Sequence, residues 1–133
     1  MILTTKGRYA VMAVIEIANS KTTAPISLLT ISKRQEISLS YLEQIFAHLK
    51  KYGVVKSIKG PGGGYLLGKK SNEISVADII KAIGEPIKMT RCNNVKTSCV
   101  SNSTKCKTHN LWHGLEKNIY NYFNSISLES ICK

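Results

Sequence analysis

The densest set of chemically active side chains is Cys92-x6-Cys99-x6-Cys106-x2-His109. Three soft thiolates and one imidazole complete a four-position ligand set, which structural zinc and iron-sulfur centres can both use. Cys106 and His109 stand three residues apart where a helix is predicted to begin, so both ligand atoms can lie on one helical face. Five basic residues, Lys88, Arg91, Lys96, Lys105 and Lys107, and no acid lie between positions 86 and 115. Such surroundings favour the thiolate that a metal requires. The six-residue gaps are looser than the spacing of zinc fingers and lean toward a cluster, with zinc as the alternative and unliganded thiols as the plain reading. Cys132 reads as a free thiol at a frayed end and His48 as a helix-flank residue. His113, one turn past His109, is a competing ligand or a packing neighbour of Trp112. No nucleophile is paired with a base, so an enzyme is not expected.

These ligands need a scaffold, and its charge is informative. The chain of 133 residues carries a formal net charge of +11. In positions 1–70, Lys6, Arg8, Lys21, Lys33, Arg34, Lys50, Lys51, Lys56, Lys59, Lys69 and Lys70 face only Glu16, Glu36 and Glu43. That excess predicts a polyanionic partner, nucleic acid ahead of an anionic membrane, bound in a salt-sensitive way. The apolar run Ala10 to Ile15 is too short to span a bilayer, and Glu16 argues against a signal peptide. Cysteines clustered in an unexported chain favour metal binding over disulfides, and a cytoplasmic location is expected.

Positions 5–19 predict a helix with little polar face, which must be covered on several sides. Ser27 is a candidate cap for a short helix through Gln35, with Leu28 and Ile31 facing inward. Ser40-Tyr41-Leu42-Glu43 fits a capping box, and Leu42, Ile45, Phe46 and Leu49 form the apolar stripe of a helix ended by Gly53. That stripe leaves Ser40, Gln44, Ala47 and Lys51 outward, with Tyr41, Glu43 and His48 on the flanks. Ser and Gln suit base edges in a major groove, and Lys50 and Lys51 suit phosphates. A short helix, the turn Glu36-Ile37-Ser38 and this helix make a helix-turn-helix.

A hairpin follows, with strands at positions 54–58 and 65–67 around Lys59-Gly60-Pro61-Gly62-Gly63-Gly64. It has the form of a wing: Gly60 and Gly62 let backbone approach a phosphate, and Lys59 can enter a minor groove. Gly63-x4-Gly68-Lys69-Lys70 lacks the Ser or Thr that ends a phosphate-binding P-loop and precedes no helix. Ser75-Val76-Ala77-Asp78 is a second capping box, opening a helix with Val76, Ile79, Ile80 and Ile83 buried and Gly84 at its end. The last predicted helix, about positions 109–123, carries the stripe Leu111, Leu115, Ile119 and Tyr122 or Phe123, for which a symmetry mate is the expected partner. The predicted organisation is a mainly α winged helix-turn-helix domain with a small β-hairpin (1–84), a ligand loop (85–108), and a dimerisation helix with the C-terminal end (109–133).

Taken together, these residues resemble the Rrf-type winged-helix family of bacterial transcription regulators. The resemblance runs through Leu3-Thr4, Lys6-Gly7-Arg8-Tyr9-Ala10-Val11, Ile37-Ser38-Leu39-Ser40-Tyr41-Leu42-Glu43-Gln44 and Gly60-Pro61-Gly62-Gly63-Gly64-Tyr65-Leu66-Leu67-Gly68. Arg91-Cys92 and Thr108-His109-x-Leu111-Trp112 extend it to the ligand region. It implies a homodimer on double-stranded DNA operators, with a 2Fe-2S cluster on Cys92, Cys99, Cys106 and His109, controlling genes for cluster assembly. It also implies DNA contacts from Ser38, Ser40, Tyr41, Glu43 and Gln44, with Lys59 in the minor groove. Arg8, Lys51, Gly60 and Gly62 complete the expected DNA-binding set. The family pattern has Arg at the wing position, and Lys59 keeps the charge without the planar fork. Each cysteine gap is one residue longer than the family pattern. Two other readings remain: a winged-helix regulator with structural zinc or a thiol switch, and a small iron-sulfur electron-transfer protein.

Overall fold

The computed structural model describes residues 5–85 and 107–133. Helix α1 spans Thr5–Ala18, α2 Leu28–Gln35 and α3 Leu39–Lys51. Strands β1 (Val55–Ile58) and β2 (Gly64–Leu67) follow, then a 3-10 turn at Ser71–Glu73 and α4 at Val76–Ala82. Helices α5 (His109–Ser125) and α6 (Leu128–Cys132) complete the described residues.

The nearly all-round apolar α1 finds most of its cover within the chain, with Met12 left exposed. Ala10, Ala13 and Val14 are fully buried, and α1 packs against α2, α3, α4, α6 and β2. From α3, Leu42, Ile45, Phe46 and Leu49 join the same core at zero exposure, as the predicted stripe requires. The two strands pair antiparallel from Val55 opposite Leu67 to Ile58 opposite Gly64. Ile26 adds a single bridge to Tyr65, with N–H···O distances of 3.0 and 2.8 Å, so the segment before α2 sits against the hairpin. Gly64 is required at that junction, because a Cβ there would be driven into the backbone of Ile26.

Local capping follows the sequence in two cases and departs from it in one. Ser27 Oγ accepts from the Thr30 N–H at the start of α2. Ser75 and Asp78 exchange the two hydrogen bonds of a capping box, at 3.0 and 3.1 Å. For α3, however, the cap is Ser38 and not Ser40. Ser38 is extended and its Oγ accepts from the Tyr41 N–H at 3.2 Å, while Ser40 is already helical. Ile37, only 3% exposed, is fixed in the core, so the backbone leaves the turn extended at Ser38 and turns helical at Leu39. The turn itself holds Glu36 at φ 54°, a left-handed conformation that costs a side-chain-bearing residue roughly 1–2 kcal/mol.

The sequence predicts a frayed chain end, and the structure corrects this. Ser127 caps α6, Ser75 bridges Ser127, and the Leu128 N–H donates to the Ile74 carbonyl at 3.0 Å. Leu128 is fully buried in the same core as α1 and α3. Leu128→Ala is therefore expected to cost about 2–5 kcal/mol. Thermal unfolding followed by circular dichroism would show the loss, and an unchanged midpoint would mean that Leu128 does not belong to the cooperative core.

Candidate functional site

The exposed surface of α3 is built by exclusion. Its apolar stripe is consumed by the core, which leaves Ser38, Leu39, Ser40, Glu43, Gln44, Ala47, His48, Lys50 and Lys51 exposed. Tyr41 differs from its neighbours. Its ring meets that of Tyr9 edge-on, with centroids 5.8 Å apart, and packs against the core, so the side chain is half-buried. The residue before Tyr9 on α1 is the exposed Arg8.

Across the core, Phe46 of α3 meets Tyr65 of β2 edge-on at 4.8 Å, tying the hairpin to that helix. At the hairpin tip Lys59, Gly60 and Gly62 are exposed, with φ values of 97° and 74° at the two glycines. The Gly63 N–H donates to the Gly60 carbonyl at 2.9 Å and closes the turn. The acid on α1 is already spoken for: Arg34 forms an ion pair with Glu16 at 3.4 Å, and Gln35 donates to the same carboxylate. A polar-faced helix and a glycine-rich wing, both flanked by lysines, form a surface suited to a duplex.

Of the proposed ligands, Cys92, Cys99 and Cys106 lie outside the described residues, and the structure places His109. It is the first residue of α5 and only 8% exposed. Its ring stacks on that of His113, with centroids 6.1 Å apart and planes within 6°. The donor set fits a soft metal by its chemistry, and His109 occupies a sheltered position at a helix start, where one fixed ligand can anchor a site. His113 also lines a groove of about 580 Å³ between α4 and α5, with Ala77, Ile80, Glu85 and Tyr120 among its walls. Sequence reasoning missed that groove and Glu85, whose Oε2 is buried with no hydrogen-bond partner among the described residues. Neither carries a motif. Cys132 sits on α6, where burial pushes its thiol pKa up and favours the protonated form.

Among the described residues, part of the apolar stripe of α5 stays uncovered, with Ile119 and Phe123 half-buried. Leu111 is 61% and Tyr122 64% exposed, and Leu115 is exposed beside them. No helix among the described residues is long and apolar enough to cross a membrane.

Helix-turn-helix, bridging strand segment and glycine-tipped hairpin define a winged-helix DNA-binding protein. A family model described as "Rrf2: Iron-dependent Transcriptional regulator" matches residues 3–133. The chain belongs to the Rrf2 family and is a transcriptional regulator of the Rrf2/IscR type. It is 48% identical over 131 residues to the HTH-type transcriptional regulator IscR of Pectobacterium atrosepticum, covering 98% of this chain and 79% of that one. It is 49% identical, with the same coverage, to IscR of Photorhabdus laumondii. Among solved structures, CymR, the global cysteine regulator of B. subtilis, superposes with a TM-score of 0.82 at 31% identity, covering 99% of this chain and 96% of that one. IscR of T. potens superposes with a TM-score of 0.79 at 33% identity, covering 98% and 85%. These relatives carry regulatory names, which bears out the expectation of a regulator and not an enzyme.

Proposed function

We propose that this chain is a cytoplasmic homodimeric regulator whose choice of operator depends on a 2Fe-2S cluster held by Cys92, Cys99, Cys106 and His109, and that it controls genes for assembling such clusters. The observation that carries this reading is the position of His109, buried at the first residue of the helix that bears the exposed apolar stripe. A ligand there ties the state of the metal site to α5, and Leu111, Leu115 and Tyr122 on that helix offer a second copy its docking face. The iron-dependence stated for the family supports iron over zinc. When bound, the group would supply a redox- and supply-sensitive crosslink between the ligand segment and α5.

In the DNA-binding role, Ser40, Glu43 and Gln44 read base edges while Ser38 caps the helix. Arg8 and Lys51 hold phosphates, and Lys59, Gly60 and Gly62 bring the wing to the minor groove. Lys51→Ala is expected to weaken binding to all duplexes alike and to reduce the slope of log K against log salt by about one unit. Gln44→Ala should instead cost about 1–3 kcal/mol on a selected operator and little on random DNA. Titration at several salt concentrations separates the two, and a Lys51→Ala effect confined to one sequence would contradict the phosphate role.

The cluster reading is tested on protein purified without oxygen, by visible absorption with iron, sulfide and zinc analysis. A coloured protein with iron and sulfide is expected. Colourless protein with stoichiometric zinc would replace it with the structural-zinc reading. Sedimentation of the same sample tests the dimer.

A further inference from the structure

Leu39 is the first residue of α3 and is 38% exposed. A lone exposed leucine is ordinary on a protein surface, but the surroundings of this one are specific. It is absent from the side chains packed on the core, whereas Leu42, one turn later, is wholly buried. On one side Ser38 Oγ accepts from the Tyr41 N–H, and on the other Ser40 is exposed. One turn along the same face stands the exposed Glu43. The leucine therefore supplies an apolar contact within a polar reading surface. It does so in the turn of the helix whose N-terminal residues meet base edges when a helix-turn-helix docks.

In the major groove thymine presents a C5-methyl group, whereas the other bases present hydrogen-bond donors and acceptors without one. A leucine can neither donate nor accept a hydrogen bond. Against a polar base edge it would strip water and return nothing, and against a methyl it removes apolar surface on both sides from water.

We propose that Leu39 is a specificity-determining residue that packs on the C5-methyl of one thymine in each operator half-site. This rests on α3 being the helix that reads DNA.

The test begins with duplexes selected from a random pool by the full chain. Each thymine is then replaced in turn by deoxyuridine, which removes only the methyl, and affinity is measured by fluorescence anisotropy at fixed salt. One thymine per half-site should be sensitive, with a loss of about three- to ten-fold for the wild-type chain. Leu39→Ala should bind the thymine duplex more weakly by a similar factor and be indifferent to deoxyuridine at that position. Leu39→Met, which keeps volume and apolar character, should retain the discrimination. A wild-type chain indifferent at every thymine overturns the proposal. So does Leu39→Ala that discriminates as the wild type does, which would give the methyl contact to Tyr41 or to Ala47, two turns along α3. If the pool yields no preferred sequence, the reading role of α3 itself falls, an outcome distinct from a selected operator that ignores deoxyuridine.

Discussion

Phe46→Ala should cost about 3–5 kcal/mol of stability, the range for removing a fully buried aromatic side chain. A domain of this size has roughly 5–15 kcal/mol in total, so a large share of the folded population is at stake. The cost also has a direction within the fold. Phe46 has zero exposure, lies on the buried stripe of α3 and touches the Tyr65 ring of β2 edge-on at 4.8 Å. Its loss removes core volume and the contact that aligns the wing with the helix. Urea unfolding by circular dichroism measures the first effect through the midpoint, and operator titration at low temperature measures the second. Phe46→Leu is the companion variant: it keeps an apolar core residue but not the ring edge. If Phe46→Leu folds normally yet loses affinity for the operator, alignment through Tyr65 is the stronger role. A loss below about 1 kcal/mol for Phe46→Ala would mean that the site collapses around the gap, and the bridging role would fail with it.

Elements with local determinants could be read from the sequence. Ser27 and the Ser75 and Asp78 pair sit within three residues of the groups they bond, and the stripe from Leu42 to Leu49 repeats over two turns, so pattern and structure agree. Where two local solutions compete, tertiary contacts decide. Ser38 and Ser40 can each cap α3, and Glu43 three residues after Ser40 favours the wrong one. The buried Ile37 settles the choice through backbone that no capping rule considers. Helix α6 was invisible for another reason. Five residues are too few to show a period, and Leu128 is held by Ile74 and by α1, elements far away in the chain. The exposed face of α3 was legible because it is what remains after the stripe is buried. The half-burial of Tyr41 was not, because it depends on Tyr9. For the ligand set, donor types could be read from residue identity, and the structure adds only the place of His109.

Alanine at Cys92, Cys99 or Cys106 should each reduce iron in anaerobically purified protein by at least about ten- to a hundred-fold. Loss of even an outer-shell partner commonly costs that much metal affinity. His109→Ala should do the same, but it also empties a buried position, so His109→Cys is needed to separate ligation from packing. The cysteine variant keeps a soft donor at the start of α5 and should retain iron where alanine does not. His113→Ala is the discriminating control. Its ring is parallel to that of His109 at 6.1 Å, one turn along the helix, and it is the nearest alternative imidazole on α5. Full iron in His113→Ala together with loss in His109→Ala assigns the ligand to His109. The reverse result would shift the ligand by a turn and remove the buried anchor from the proposed site. These variants should retain salt-dependent affinity for DNA, which rests on the basic residues of α3 and the wing, and His109 stands outside the hydrophobic core cluster. What should change is the ratio of affinities between different operators. If that ratio is the same in the iron-free variants and the iron-loaded wild type, α5 does not transmit the state of the ligand site to α3, whatever metal that site holds.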